Sequence, residues 1–146
     1  MGHLAKALFM LFWLGGCYGP LLAAERAYAP APGTALRREI SDALRSVVEK
    51  ELNKPVVFRI EVLKVKQAWA YLRGIPLDKS GKRMDYHGTP YQASIEDGQF
   101  DDGICSLLRK EAKGNRWKVV TYSLGATDAP FVNWAERYHA PAEIIQ

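Results

Sequence analysis

The stretch GICSLLRKEAKGNRWKVVTYSLG, from Gly103 to Gly125, constrains the fold more than any other part of the chain. Two runs rich in Ile, Leu, Val, Trp, Tyr and Thr flank the polar, glycine-containing Ala112-Lys113-Gly114-Asn115, the pattern of a β-hairpin. A two-residue turn at Lys113-Gly114 sets Glu111 opposite Arg116 and Arg109 opposite Lys118. The same register pairs Leu107 with Val120 and Cys105 with Tyr122 on one face, and Leu108 with Val119 and Ser106 with Thr121 on the other. Apolar side chains then occupy both faces, so the sheet needs a cover on each side. One helix can supply only one of them.

The other elements follow from periodicity. Thr34 is placed to cap a helix over Ala35–Leu52, with Leu36, Ile40, Leu44, Val47 and Val48 along one face and Asn53 and Pro55 ending it. Arg38 with Asp42 and Arg45 with Glu49 stand at i,i+4 spacing on its polar side. Val56 to Val65 alternates as a strand until Leu63 and Val65 change parity, which predicts a bulge. Ala68 to Ile75 follows as an antiparallel neighbour, with Pro76 as its stop. Leu77 to Asp102 reads as a long loop with a short strand near Tyr91 to Ile95, and loops of that length in compact domains commonly carry function. Asp128 is placed to cap a short last helix bearing Phe131, Trp134, Ala135 and Tyr138, stopped by Pro141. The tail with Ile144 and Ile145 is the candidate for the second cover.

Ahead of the domain, Lys6 and the apolar Ala7 to Leu14 have the anatomy of an export signal too short to span a bilayer. Leu14-Gly15-Gly16-Cys17 resembles the lipobox of bacterial lipoproteins, which implies lipidation of Cys17 and a membrane partner; simple cleavage after Ala24 is the rival reading. Residues 1–24 are therefore read as signal, the Pro- and Ala-rich 25–33 as an extended spacer, and 34–146 as one α+β domain. Either route leaves Cys105 as a lone cysteine, better read as a small buried hydrophobe than as a nucleophile.

Of 146 residues, 48% are apolar and 25% charged, the range of an ordinary globular domain. The net charge of +4 looks dispersed among acids, which argues against nucleic acid as a partner. No CxxC, HExxH, P-loop, dinucleotide fingerprint or GxSxG is present, so no cofactor is expected and the common enzyme classes lose support. Asp85 and His87 can in principle act as acid and base, but no nucleophile stands beside them. Glu96, Asp97, Asp101 and Asp102 lack the ligand spacing of an EF-hand. Trp69, Tyr71 and Trp117, with Tyr122, Trp134 and Tyr138, can line a ligand groove or pack the core.

The pieces QAWAYLRGIP and CSLLRKEAKGNRWKVVTYSLGATDAPFVNWAERYHAP resemble a family of small exported bacterial proteins, of lipoprotein type and without assigned function. The most specific part runs from Trp117 to Asp128, followed by Trp134 and Ala140-Pro141. The resemblance implies an envelope location and offers no catalytic residue to transfer.

The element order predicts a long N-terminal helix on a curved antiparallel sheet of about four strands with a short C-terminal helix, cystatin-like or NTF2-like in outline. The leading functional expectation is a non-catalytic envelope module contacting another protein or a cell-wall component, with Trp69, Tyr71, Asp85, His87 and Trp117 as contact candidates. The alternative is a small enzyme or ligand carrier with a pocket between helix and sheet.

Overall fold

A computed structural model describes residues 25–145, so Cys17, the lipobox and the Ala24 cleavage site lie outside the described residues. The described chain is an α+β domain. Helix α1 (Ala35–Leu52) is followed by strands β1 (Val57–Lys66) and β2 (Trp69–Leu77), a short α2 (Gln92–Glu96), strands β3 (Ile104–Lys110) and β4 (Trp117–Leu124), a short α3 (Trp134–Tyr138) and a final 3-10 turn over Ala142–Ile144. The four strands form one antiparallel meander in the order β1-β2-β3-β4.

Helix α1 starts where Thr34 accepts a hydrogen bond from the Arg37 N–H, and it stops at Asn53 in the left-handed region. Ile40, Leu44, Val48 and Leu52 form its buried stripe, whereas Val47 turns outward and is exposed. The expected i,i+4 ion pairs do not form. Arg45 pairs with Asp42 one turn back, Arg38 donates to the Gly33 carbonyl, and Glu49 accepts from the Val56 N–H, because backbone groups at both helix ends offer closer partners.

Two bulges set which residues face the helix. Glu61 is the extra residue in β1, so Phe58 and Ile60 before it and Leu63 and Val65 after it all pack into one core. The β1 backbone leans so close there that a Cβ on Gly74 would lie 2.4 Å from the Arg59 carbonyl oxygen. In the hairpin, Leu108 faces Val119 and Arg109 faces Lys118 as expected, but Val120 is extra. Beyond it the register is shifted by one: Leu107 faces Thr121, Ser106 faces Tyr122 and Cys105 faces Ser123, correcting the sequence-based pairs. A one-residue slip reverses every later side chain, so Tyr122 points to the helix side and not to that of Cys105. The turn closes with Glu111 N–H donating to Arg116 O, and Gly114 and Asn115, not Lys113, take the positive φ.

The sheet is covered on both faces. On one, α1 packs over Leu63, Val65, Ala70, Leu72, Ile104 and Leu108. On the other, Trp134, Ala140 and Ile144 of the C-terminal segment cover Trp69, Tyr71, Cys105 and Leu107, as the apolar tail predicts. Three local expectations fail. Pro76 lies inside β2, beyond Gly74, the last β2 residue paired with β3, where the strand has a neighbour on one side and proline is tolerated. The last helix begins at Trp134 and not at Asp128, after turns held by Val132 N–H to Ala129 O and Trp134 N–H to Phe131 O. Residues 25–33 are not a free spacer: Tyr28 exchanges both backbone hydrogen bonds with Val65, at 2.9 and 2.8 Å, closing part of the open β1 edge.

Leu108, fully buried and opposite Val119, sits where the sheet meets the helix. Leu108→Ala is expected to remove about 2–5 kcal/mol of stability. An unchanged melting temperature would contradict its burial.

Candidate functional site

The segment between β2 and β3 is long but held. Asp78 accepts from the Ser80 and Lys82 N–H groups and the Ser80 hydroxyl, and these bonds keep its carboxyl below the usual range. Arg83 forms a two-pronged pair with Asp102, Nε to Oδ2 at 2.7 Å and a terminal nitrogen to Oδ1 at 3.2 Å. Met84, Tyr86, Tyr91 and Phe100 dock into the α1-side core, with Tyr86 edge-on to both other rings. Phe100 also fixes the end of the hairpin: a Cβ on Gly125 would come within 2.2 Å of its ring.

The expected strand at Tyr91 to Ile95 is the helix α2 instead. Thr89 accepts from the Tyr91 N–H through its side chain and from the Gln92 N–H through its carbonyl, so Pro90 sits in a tight turn that leads directly into the helix. Tyr91 donates to Glu51 of α1 at 2.9 Å, and Tyr122 of β4 donates to the other oxygen of the same carboxylate. This junction of helix, loop and sheet is not visible in the sequence, because its members are 40 and 71 residues apart. Burial, and then the Glu51 hydrogen bond, push both phenols up.

On this scaffold an open cleft of about 360 Å³ is lined by Arg83, Asp85, Tyr86, His87, Gln92, Glu96 and Asp102, among others. It brings together the sequence-derived Asp85 and His87. They do not form an acid–base pair through the ring: Asp85 Oδ1 accepts from the backbone N–H of His87 at 2.9 Å, and this bond, aided by Lys54, holds the Asp85 carboxyl low. Lys54 donates to the backbone oxygens of Asp85 and His87 at 2.6 and 3.0 Å, fixing the rim. Gln92 bridges Gly88 N–H and Glu96. The Tyr86 hydroxyl is buried in the cleft wall with no hydrogen-bond partner. With Arg83 neutralised by Asp102, the cleft presents Asp85, Glu96 and an imidazole, a surface suited to amine-bearing or hydrogen-bonding ligands.

The remaining candidates lie elsewhere. Trp69 and Tyr71 are in the core beneath the C-terminal segment, and Trp117 is in the core beneath α1, so the three do not meet in one groove. Tyr71 is fully buried against Phe131, and burial pushes its phenol up to about 12. Cys105, 6% exposed, points to Ser123 O at 3.9 Å; burial pushes its thiol up to about 11, far from a thiolate nucleophile. It borders a shallow cleft of about 150 Å³ with Arg73, Asp128 and Phe131. Asp101 accepts from Gly103 N–H and Asp102 holds Arg83; among the described residues no three His, Cys, Asp or Glu side chains converge as a metal site.

No protein-family model, curated protein or solved structure matches the chain. Among the described residues no helix is long and apolar enough to cross a membrane.

Removing the unpartnered hydroxyl should relieve a desolvation cost of about 1–3 kcal/mol, so Tyr86→Phe is expected to be at least as resistant to urea as the native protein. A loss beyond about 1 kcal/mol would reveal a partner for that oxygen.

Proposed function

We propose that the chain is an exported, membrane-anchored binding module of the bacterial cell envelope, non-catalytic, whose loop cleft contacts an envelope protein or a cell-wall component. One observation carries the reading. The space between helix and sheet, where a small-molecule pocket would lie, is filled by Ile40, Leu44, Val48, Leu72 and Leu108, all fully buried, while the polar side chains gather in an open cleft on the outside. The helix followed by a four-stranded meander resembles the cystatin-like and NTF2-like outlines, and in this chain it serves as a frame for the loop. Export and anchoring rest on the signal anatomy and on Leu14-Gly15-Gly16-Cys17.

The cleft is tested with His87→Ala and Glu96→Ala, both exposed and outside the core, against purified cell-wall peptide and solubilised envelope proteins. A hydrogen bond to a charged group contributes about 1.5–3 kcal/mol, so each variant is expected to bind at least about tenfold more weakly with its melting temperature unchanged. Undiminished binding by both would remove the cleft from the interface. The anchor is tested separately. Cys17→Ser should abolish incorporation of labelled fatty acid, whereas a native protein that begins at Glu25 and carries no lipid would show that it is not acylated.

A further inference from the structure

The net charge is not dispersed. Ten residues around the hairpin turn, Arg109 to Lys118, hold five cations and one acid, a surplus equal to the +4 of the whole chain. Arg109, Lys113, Arg116 and Lys118 are exposed. Arg109 lies over the Trp69 ring at 5.2 Å and Lys110 over Trp117 at 5.8 Å, which braces two of the cations at the sheet end; only Lys118 has an acid near it, Glu111 at 3.7 Å. Arg109, Lys110, Glu111 and Lys118, with Ala68 and the exposed Val120, line an open groove of about 780 Å³, and Lys113 and Arg116 stand beside it on the turn.

The other end of the sheet has the opposite sign. Between β2 and β3 stand six acids, Asp78, Asp85, Glu96, Asp97, Asp101 and Asp102, against Lys79, Lys82 and Arg83. Ladder pairs fix this polarity: Lys66, Trp69, Arg109 and Lys118 align across the basic end, while Gly74, Ile104 and Leu124 align toward the acidic one. Tyr28 pairs antiparallel with Val65, so the chain preceding it heads toward Lys66 and the basic end. The described chain therefore enters the domain from the side of the cationic turn.

We propose that the hairpin turn docks on the anionic phospholipid surface of the membrane that holds the N-terminal segment, turning the acidic loop cleft away from the bilayer. The proposal rests on the anchored reading for the position of the bilayer. Juxtamembrane cations are drawn to anionic headgroups and released by salt, and the occupant is a bilayer because the chain itself delivers this end to one.

The full chain is reconstituted into vesicles of phosphatidylcholine, with or without phosphatidylglycerol, and acetylation by a water-soluble reagent is followed at each lysine. Lys113 and Lys118 are expected to react roughly fivefold more slowly on the anionic vesicles, with high salt restoring the rate and Lys79 reacting alike on both. Equal rates at Lys113 on the two vesicle types overturn the proposal. So does protection by added duplex DNA or polyglutamate without protection by phosphatidylglycerol, which assigns the turn to another partner. Flotation separates the two readings: failure to float with neutral vesicles denies the anchor, whereas floating with both and equal lysine rates denies the docking surface.

Discussion

Five consecutive residues of β3, Ile104 to Leu108, are buried, and that requirement organises the domain. A strand side chain can avoid water on both faces only if an apolar layer lies on each side of the sheet. Helix α1 covers Ile104 and Leu108, and the C-terminal segment covers Cys105 and Leu107. Ser106, the one polar member, donates to the Leu72 carbonyl at 3.2 Å, so its burial leaves no unsatisfied donor. Neither cover is optional, because removing either one exposes half of a central strand.

The segment between β2 and β3 shows how a polar sequence becomes ordered by a few apolar residues. Met84, Tyr86, Tyr91 and Phe100 reach the same core as the helix, and the polar residues between them are left to form the cleft. The Glu51 carboxylate then ties Tyr91 and Tyr122 together. The Val120 bulge makes this possible, since without it Tyr122 would face the other core. A backbone irregularity in a distant strand thus helps to position the loop.

Much of the architecture was legible in the residues. The 3.6-residue stripe of α1, the alternation in β1 with its parity change, and the two apolar runs around Gly114 each encode local structure through side-chain spacing, and each forms. What was not legible depends on partners far along the chain. Pro76 reads as a stop until the short reach of β3 is known, and Arg38 reads as half of an ion pair until the Gly33 carbonyl is near. Tyr91 reads as a strand residue because its ring suits a sheet, yet its hydroxyl bonds a carboxylate on α1. Asp85 and His87 were identifiable as neighbours, but the contributions of Tyr86, Gln92 and Glu96 to the same cleft required the fold. The concentration of charge in Arg109 to Lys118 was present in the sequence and is missed when the net charge is spread over the whole chain.

The two outer strands are treated differently from the inner pair, and this governs how copies of the domain behave when crowded. An open strand edge is a template on which another chain can add, the first step of ordered aggregation. On β1 part of that template is already occupied by Tyr28. On β4 the Val120 bulge interrupts the repeat of donors and acceptors, and Lys118 places a charge where an incoming strand would lie. A sheet finished in this way resists growing into a fibril, although the strands at its centre, with their mainly apolar runs, would be prone to it if the domain opened.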